Sequence, residues 1–255
     1  MTRLLIVNLF LFALLFIVGL FILRLIPHNL RKFFIAGFWA ISFPGLLYTL
    51  YYLHFFDDWV LFYSIRSCVI FNYYPSLLGL AAASLALMLR PWYRIAFVVL
   101  LLLPFVIIPF SKQLLNPLDV SSLTDNWEED VCRQSTPSTC GPASAATLLK
   151  HLSGKELSEA EIAKGALTTG TGTEAWYLAQ YIKHQGCKIN ILTKMRSPVS
   201  PSIAGIDMGG IGHFVVVFGV SDKGVEIADP LDGKKSLVDP RSLRFTGFYL
   251  QITPK

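Results

Sequence analysis

Leu4 to Leu23 is a run of twenty residues without a single charge, interrupted only by Asn8. As a helix it is about 30 Å long, the thickness of a bilayer's hydrocarbon core. A secretory signal would have a shorter apolar core and a small-residue cleavage site after it; neither is present. Three more apolar runs follow, at 33–53, 67–89 and 95–110. The second is broken at Pro44-Gly45 and ends in Tyr48, Tyr51 and Tyr52, aromatics suited to the headgroup level. The third carries Gly79 and Ala81-Ala82-Ala83-Ser84, which suit close helix contact. The fourth contains Pro104 and Pro109, read as a kink and an exit. Residues 1–115 are therefore expected to form a membrane domain of four spans. Between spans two and three, His54 to Arg66 is aromatic with charged edges and reads as an interfacial helix.

Charge divides the chain at the same place. Residues 1–115 hold eight Lys/Arg and two Asp/Glu, a formal +6; residues 116–255 hold fourteen and fifteen, a formal −1. The basic character belongs to the membrane half, so it gives no reason to expect a nucleic-acid partner. The positive loops Arg24/Arg31/Lys32 and Arg90/Arg94 should face the cytoplasm, with the acidic loop Asp57/Asp58 outside. Four spans then put the C-terminal half on the extracytoplasmic side of a bacterial inner membrane. No charge lies deep in a span, so nothing points to transport.

Residues 116–130 read as a polar linker, and 131–255 as one soluble domain of adequate size for its own core. Three helices come first: from Ala143 to Leu152 just after Cys140, from Glu159 to Lys164 behind a Ser158 cap with Glu161 at the capping-box position, and from Thr173 to His184. Period-two runs follow at 187–192, 202–206, 213–220, 225–228, 235–238 and 245–252, the third and fourth joined by the turn Ser221–Gly224. Helices followed by an antiparallel sheet define an α+β domain. No GxxxxGK[ST] loop occurs, and the cysteines show no metal-ligand spacing, so neither a nucleotide nor a metal cofactor is implied. Cys132 and Cys187 fit a disulfide in an oxidising compartment and free thiols in a reducing one.

Cys140 precedes a helix, where unpaired N–H groups and the dipole favour an anion. A thiol attacks carbonyls as thiolate, which also calls for a neighbouring imidazolium. His28 and His54 flank spans; His151 and His184 lie near helix ends, where a histidine favourably faces the dipole. His213 opens the apolar strand Gly212-His-Phe-Val-Val-Val and is the candidate base, against the plainer reading of a satisfied strand-end histidine. Asp229 ends the strand that pairs with it and can orient the ring. Asp232, nearby, reads as a turn residue. Gln134, six residues before the thiol, is the candidate oxyanion donor together with the Cys140 N–H.

Gln134-x5-Cys140-Gly141-x-Ala143, Gly212-His213-Phe214-Val215-Val216 and Ala228-Asp229-Pro230 resemble, in order, the motifs of the C39 peptidases. These are papain-like cysteine proteases that remove leader peptides from bacteriocin and peptide-signal precursors, usually after Gly-Gly or a similar small pair. The resemblance covers about residues 130–252 and implies a papain-like fold. It implies Cys140 as nucleophile, His213 as base, Asp229 as orienter and Gln134 as oxyanion donor. It implies a peptide or protein substrate and no cofactor. Such domains usually precede an ATP-driven exporter and work in the cytoplasm; this one follows membrane spans, so any export or secretion complex would be a separate partner alongside the lipid bilayer. Two other readings use the same fold: a non-catalytic peptide-binding module and a thioester-forming transferase.

Overall fold

The structure, a computed structural model, describes residues 2–53, 59–89, 93, 96 and 98–254. Asp57, Asp58, Arg90 and Arg94 of the loop-charge reading, and residues 54–58 of the stretch read as an interfacial helix, lie outside the described residues. The chain divides into two compact units: 1–57 with 68–114, and 58–67 with 115–255.

The first unit is helical. Helix α1 (Thr2–Leu25) and helix α2 (His28–Tyr52) are followed, after α3 (Val60–Arg66) of the other unit, by a 3₁₀ stretch Val69–Leu77 that runs into α4 (Leu78–Met88). Small residues let α4 approach its neighbours. A Cβ on Gly79 would lie 2.3 Å from the Phe12 carbonyl oxygen, so only glycine fits there. Ala81 and Ala82 pack with Phe12, Val98, Leu102 and Val106. Polar side chains in the apolar helices meet backbone acceptors, as burial requires: Ser42 Oγ donates to Leu77 O at 2.7 Å and Thr49 Oγ1 to Phe105 O at 2.6 Å.

Among the described residues three helical stretches are long and apolar enough to cross a membrane: Arg3–Leu25, His28–Leu50 and Val69–Met88. The expected fourth, 95–110, is not a continuous helix. Its described part runs through a π turn (Val98–Leu102), α5 (Leu103–Ile107), a 3₁₀ turn (Ile108–Phe110) and α6 (Ser111–Leu115). Pro104 and Pro109 each remove a backbone donor and clash with the preceding turn, so the hydrogen-bond pattern must reset. The apolar helical run Leu100–Leu115 is only about 24 Å long at helical rise.

The second unit opens with a small hairpin, β1 (Asn126–Glu128) and β2 (Val131–Arg133), inside and just after the stretch expected to be a linker. That stretch is also tied down elsewhere: Pro117 bridges Thr169, and Gly170 N donates to Asn116 O at 2.8 Å. Helices α7 (Cys140–Ser153), α8 (Glu159–Gly165) and α9 (Ala175–His184) come next. Then β3 (Cys187–Leu192), β4 (Ser202–Asp207), β5 (Gly212–Ser221), β6 (Gly224–Asp229), β7 (Lys234–Val238) and β8 (Phe245–Pro254) form one antiparallel sheet, ordered β3-β8-β4-β5-β6-β7. All six expected strands are present, and Ser158 caps α8 by accepting from Glu161 N. The Glu161 carboxyl accepts from the Tyr181 hydroxyl instead of closing the capping box.

The aromatic stretch read as an interfacial helix has a partner in this unit. Tyr63 of α3 packs on Trp176 and Phe248, with ring centroids 6.2 and 5.1 Å away. The Arg66 guanidinium lies 3.9 Å over the Trp176 ring, and the Gln180 side chain donates to the Arg66 carbonyl. Aromatic surface that suits a lipid interface suits a protein socket equally, which is why composition alone did not separate them.

Candidate active site

Helix α7 begins at Cys140 because the preceding segment turns sharply. Thr139 N donates to Thr136 O at 3.2 Å, and Thr136 N donates to the Thr139 hydroxyl at 3.1 Å. The Cys140 and Gly141 N–H groups have no carbonyl one turn back, whereas Ala143 N already donates to Thr139 O at 3.0 Å. Pro142 falls in that same turn, where it forfeits nothing. The helix is pinned to the sheet by Ser144, whose hydroxyl donates to Phe214 O at 3.1 Å. A Cβ on Gly141 would sit 3.2 Å from Thr173 Cβ and 3.4 Å from the Phe214 ring. The glycine thus lets helix, loop and strand close up beside Cys140.

His213 lies at the start of β5, after a turn in which Gly209 (φ +74°) and Gly210 (φ +93°) take left-handed conformations. Val216 pairs with Ala228 and Val217 with Ile227. Continued, this register sets Asp229 opposite Val215, one diagonal step from His213 and on the same face, since side chains alternate along a strand. The side chains meet: His213 Nε2 is 2.7 Å from Asp229 Oδ1. That oxygen also accepts from Leu231 N at 2.9 Å, which fixes the carboxylate. With Nε2 engaged, Nδ1 is the nitrogen left for the thiol.

His213 is buried, 7% exposed. Burial works against its charge, but hydrogen bonds to Asp229 and to Cys140, with the negative charge of both, outweigh it and lift the pKa to about 9. For Asp229, burial would raise the carboxyl; the bonds from His213 and Leu231 N–H win and hold it below its ordinary value. The two groups stabilise each other's charged forms.

Gln134 lies in the same neighbourhood. Its backbone N–H donates to Pro230 O at 2.8 Å, next to Asp229, and its side-chain Nε2 donates to Thr136 O at 2.9 Å. A carboxamide nitrogen has two hydrogens, so one remains for a further acceptor. The other sequence candidates separate cleanly. Asp232 Oδ1 accepts from Lys234 N at 2.9 Å, as a turn residue does. His151 packs tilted against Phe218 with ring centroids 4.6 Å apart, His184 ends α9, and His28 begins α2.

All four cysteines are free thiols, so Cys132 and Cys187 are not joined. Burial, with the negative charges of Glu159 and Asp125, pushes Cys132 up to about 12. Burial also raises Cys187, with Lys155 partly opposing it. Among the described residues no three His, Cys, Asp or Glu side chains are grouped as metal ligands. Ser135, next to Gln134, and Glu159 bond each other, and neither carries a sequence signal of that contact. Only the helix start at Ser158-Glu159 was visible.

The family model described as the peptidase C39 family matches residues 128–255, and the chain belongs to that family. It is 34% identical over 131 residues to an uncharacterized protein of Methanothermobacter marburgensis, covering 49% of this chain and 89% of that protein. An uncharacterized protein of Methanothermobacter thermautotrophicus is 29% identical over 112 residues, covering 44% and 78%. Among solved structures it is similar to the peptidase domain of Streptococcus ComA, described as a bifunctional ABC transporter involved in a quorum sensing pathway. There the identity is 23% and the TM-score 0.46, over 49% of this chain and 98% of that one. A double glycine motif protease from an AMS/PCAT transporter, solved in complex with its leader peptide, is 22% identical with a TM-score of 0.43, over 49% and 91%.

Proposed function

We propose that the protein is a membrane-anchored cysteine endopeptidase, with Cys140 as nucleophile, His213 as acid and base, Asp229 as orienter and Gln134 as oxyanion donor. The observation that carries this reading is the 2.7 Å His213–Asp229 pair, held charged at the ring that faces Cys140. An imidazolium beside a thiol at a helix start is the setting in which a thiolate persists. The thiolate adds to the scissile carbonyl; the C–S bond forms and the carbonyl electron pair moves to oxygen. The free hydrogen of the Gln134 amide and the Cys140 N–H receive that charge. His213 gives its Nδ1 proton to the leaving nitrogen as the C–N bond breaks, leaving a thioester and the free amine. Water, deprotonated by His213, then releases the acid and restores the thiol.

Membership of the peptidase family supports a peptide or protein substrate. Cleavage after a small pair of the Gly-Gly type belongs to this proposal, as does a separate export complex as partner. The apolar helices support anchoring in a cell membrane. Helix α3, which precedes the third apolar stretch, packs within the same unit as residues 115–255. That packing supports one shared side of the bilayer for α3 and the peptidase domain. By loop charge the shared side is the extracytoplasmic one.

The test is hydrolysis of an acetyl-Gly-Gly aminocoumarin amide by the full chain in detergent. Wild type releases the fluorophore and Cys140→Ala does not. Equal release by both would remove the thiol from the mechanism. Transfer of the acyl group to an added amine in place of water would select the transferase chemistry.

A further inference from the structure

We propose that Glu159 is a positioning residue for this site: its buried carboxyl group fixes the Ser135 amide and so aims the neighbouring Gln134 side chain at the developing oxyanion. The inference rests on the assignment of Cys140 as nucleophile and Gln134 as oxyanion donor.

Glu159 is 0% exposed, although it is the first residue of the short helix α8, where a glutamate ordinarily faces solvent. A carboxyl group so placed must have donors or it costs far more than it contributes. It finds them almost entirely in one residue. Ser135 N lies 3.0 Å from Oε1 and 3.2 Å from Oε2, and the Ser135 hydroxyl also contacts Oε2. The remaining bonds brace that contact. Glu159 N donates to Asp125 Oδ1 at 2.9 Å, and Thr124 N donates to the Ser135 hydroxyl at 3.0 Å.

Ser135 directly follows Gln134. Gln134 N is tied to Pro230 O at 2.8 Å, so two successive amides are held, the first by the turn that follows β6 and the second by Glu159. With the backbone fixed on both sides of the Gln134 Cα, the Cα–Cβ bond direction is set, and the Thr136 carbonyl takes one amide hydrogen. The other hydrogen has a defined direction only while Ser135 stays in place. Asp229 has separate support from Leu231 N, so the His213–Asp229 pair does not depend on Glu159.

Two probes separate these roles, both on the full chain in detergent micelles. Iodoacetamide alkylates a thiolate by displacing iodide, and no oxyanion forms. Acetyl-Gly-glycinal adds to the same thiolate; a C–S bond forms and the carbonyl electron pair goes to oxygen, leaving a hemithioacetal oxyanion paired with the His213 imidazolium. Glu159→Ala is expected to weaken aldehyde binding roughly ten- to hundredfold. The rate and pH dependence of alkylation at Cys140 stay as in wild type. Gln134→Ala gives the same split, and the double variant binds no worse than Gln134→Ala alone. Glu159→Gln retains an acceptor oxygen and recovers most of the affinity; it also serves if the alanine variant does not fold. A parallel loss of both probes with a lowered melting temperature would reduce Glu159 to a structural residue, and additive losses in the double variant would overturn the route through Gln134. Wild-type Cys140 alkylated no faster than Cys187 marks failure of the underlying thiol assignment, and the proposal falls with it.

Discussion

His213 Nε2 and Asp229 Oδ1 lie 2.7 Å apart, sixteen residues separated in sequence. The contact follows from the β5–β6 hairpin register, which makes the two residues diagonal neighbours on one face. A one-residue slip would send one of them to the opposite face. The pair is therefore as stable as the hairpin, and its electrical state is open to titration.

Activity should have an alkaline limit near pH 9, where the imidazolium loses its proton. In Asp229→Asn the hydrogen-bond partner survives but its charge does not, so the limit should move down by about one unit or more. The sign for folding is the same. A histidine whose pKa is raised on folding contributes stability below about 6.5 that is lost as pH rises through about 9. Asp229, lowered on folding, contributes stability above its ordinary value of 3.8 that is lost in more acid solution. A pH series of peptide hydrolysis and of thermal melting checks both; a limit unmoved in Asp229→Asn would contradict the pairing.

Alkylation should distinguish the cysteines of the soluble unit. Cys140 is expected to react fastest at neutral pH, and replacing His213 by alanine should slow it by at least tenfold, toward an ordinary thiol. Cys132, with a pKa of about 12, should remain unmodified until the protein unfolds. Mass spectrometry of iodoacetamide-treated protein gives the order directly.

Gln134→Ala should lower kcat about 10²- to 10³-fold, the usual effect of losing one oxyanion donor, with little change in KM. Steady-state kinetics on the Gly-Gly aminocoumarin substrate tests this. A rise in KM alone would make Gln134 a substrate-binding residue.

Gly79→Val should destabilise the helical unit by about 1–3 kcal/mol, because a side chain cannot fit against the Phe12 carbonyl without moving α1 from α4. Thermal unfolding in detergent should show the loss, with the His213-dependent alkylation of Cys140 kept at temperatures below the transition.

Sidedness is expected to be shared. In a Cys68→Ser, Cys140→Ser background, an impermeant maleimide should label Leu61→Cys and Lys223→Cys from the same face of sealed vesicles. A C-terminal alkaline phosphatase fusion should be active. Labels from opposite faces would exclude the shared compartment.

Much of the soluble unit was legible because its signals are local. Strand alternation located all six sheet strands, and the Ser221–Gly224 turn fixed which two of them pair, which brought Asp229 to His213. The helix-start chemistry of Cys140 was equally visible. What escaped depends on burial at a distance. Nothing near Glu159 in the sequence shows that its side chain points inward to Ser135. The β1–β2 hairpin is short and polar, so it looked like linker. Tyr63 and Arg66 looked like lipid-interface residues because their partner, Trp176, lies more than a hundred positions away. The fourth span failed for a local reason that was in view, Pro104 and Pro109, whose effect is larger than a kink.

The docking of α3 means that the peptidase unit cannot be cut free at residue 115. A recombinant fragment starting there would leave the Trp176 and Phe248 surfaces that receive Tyr63 and Arg66 open to water. It should be sticky and poorly behaved, and a synthetic peptide of residues 59–67 added in trans should restore it. The segment between the second and third apolar helices is at once a piece of the C39 unit, so a single cut near residue 115 would yield an incomplete unit.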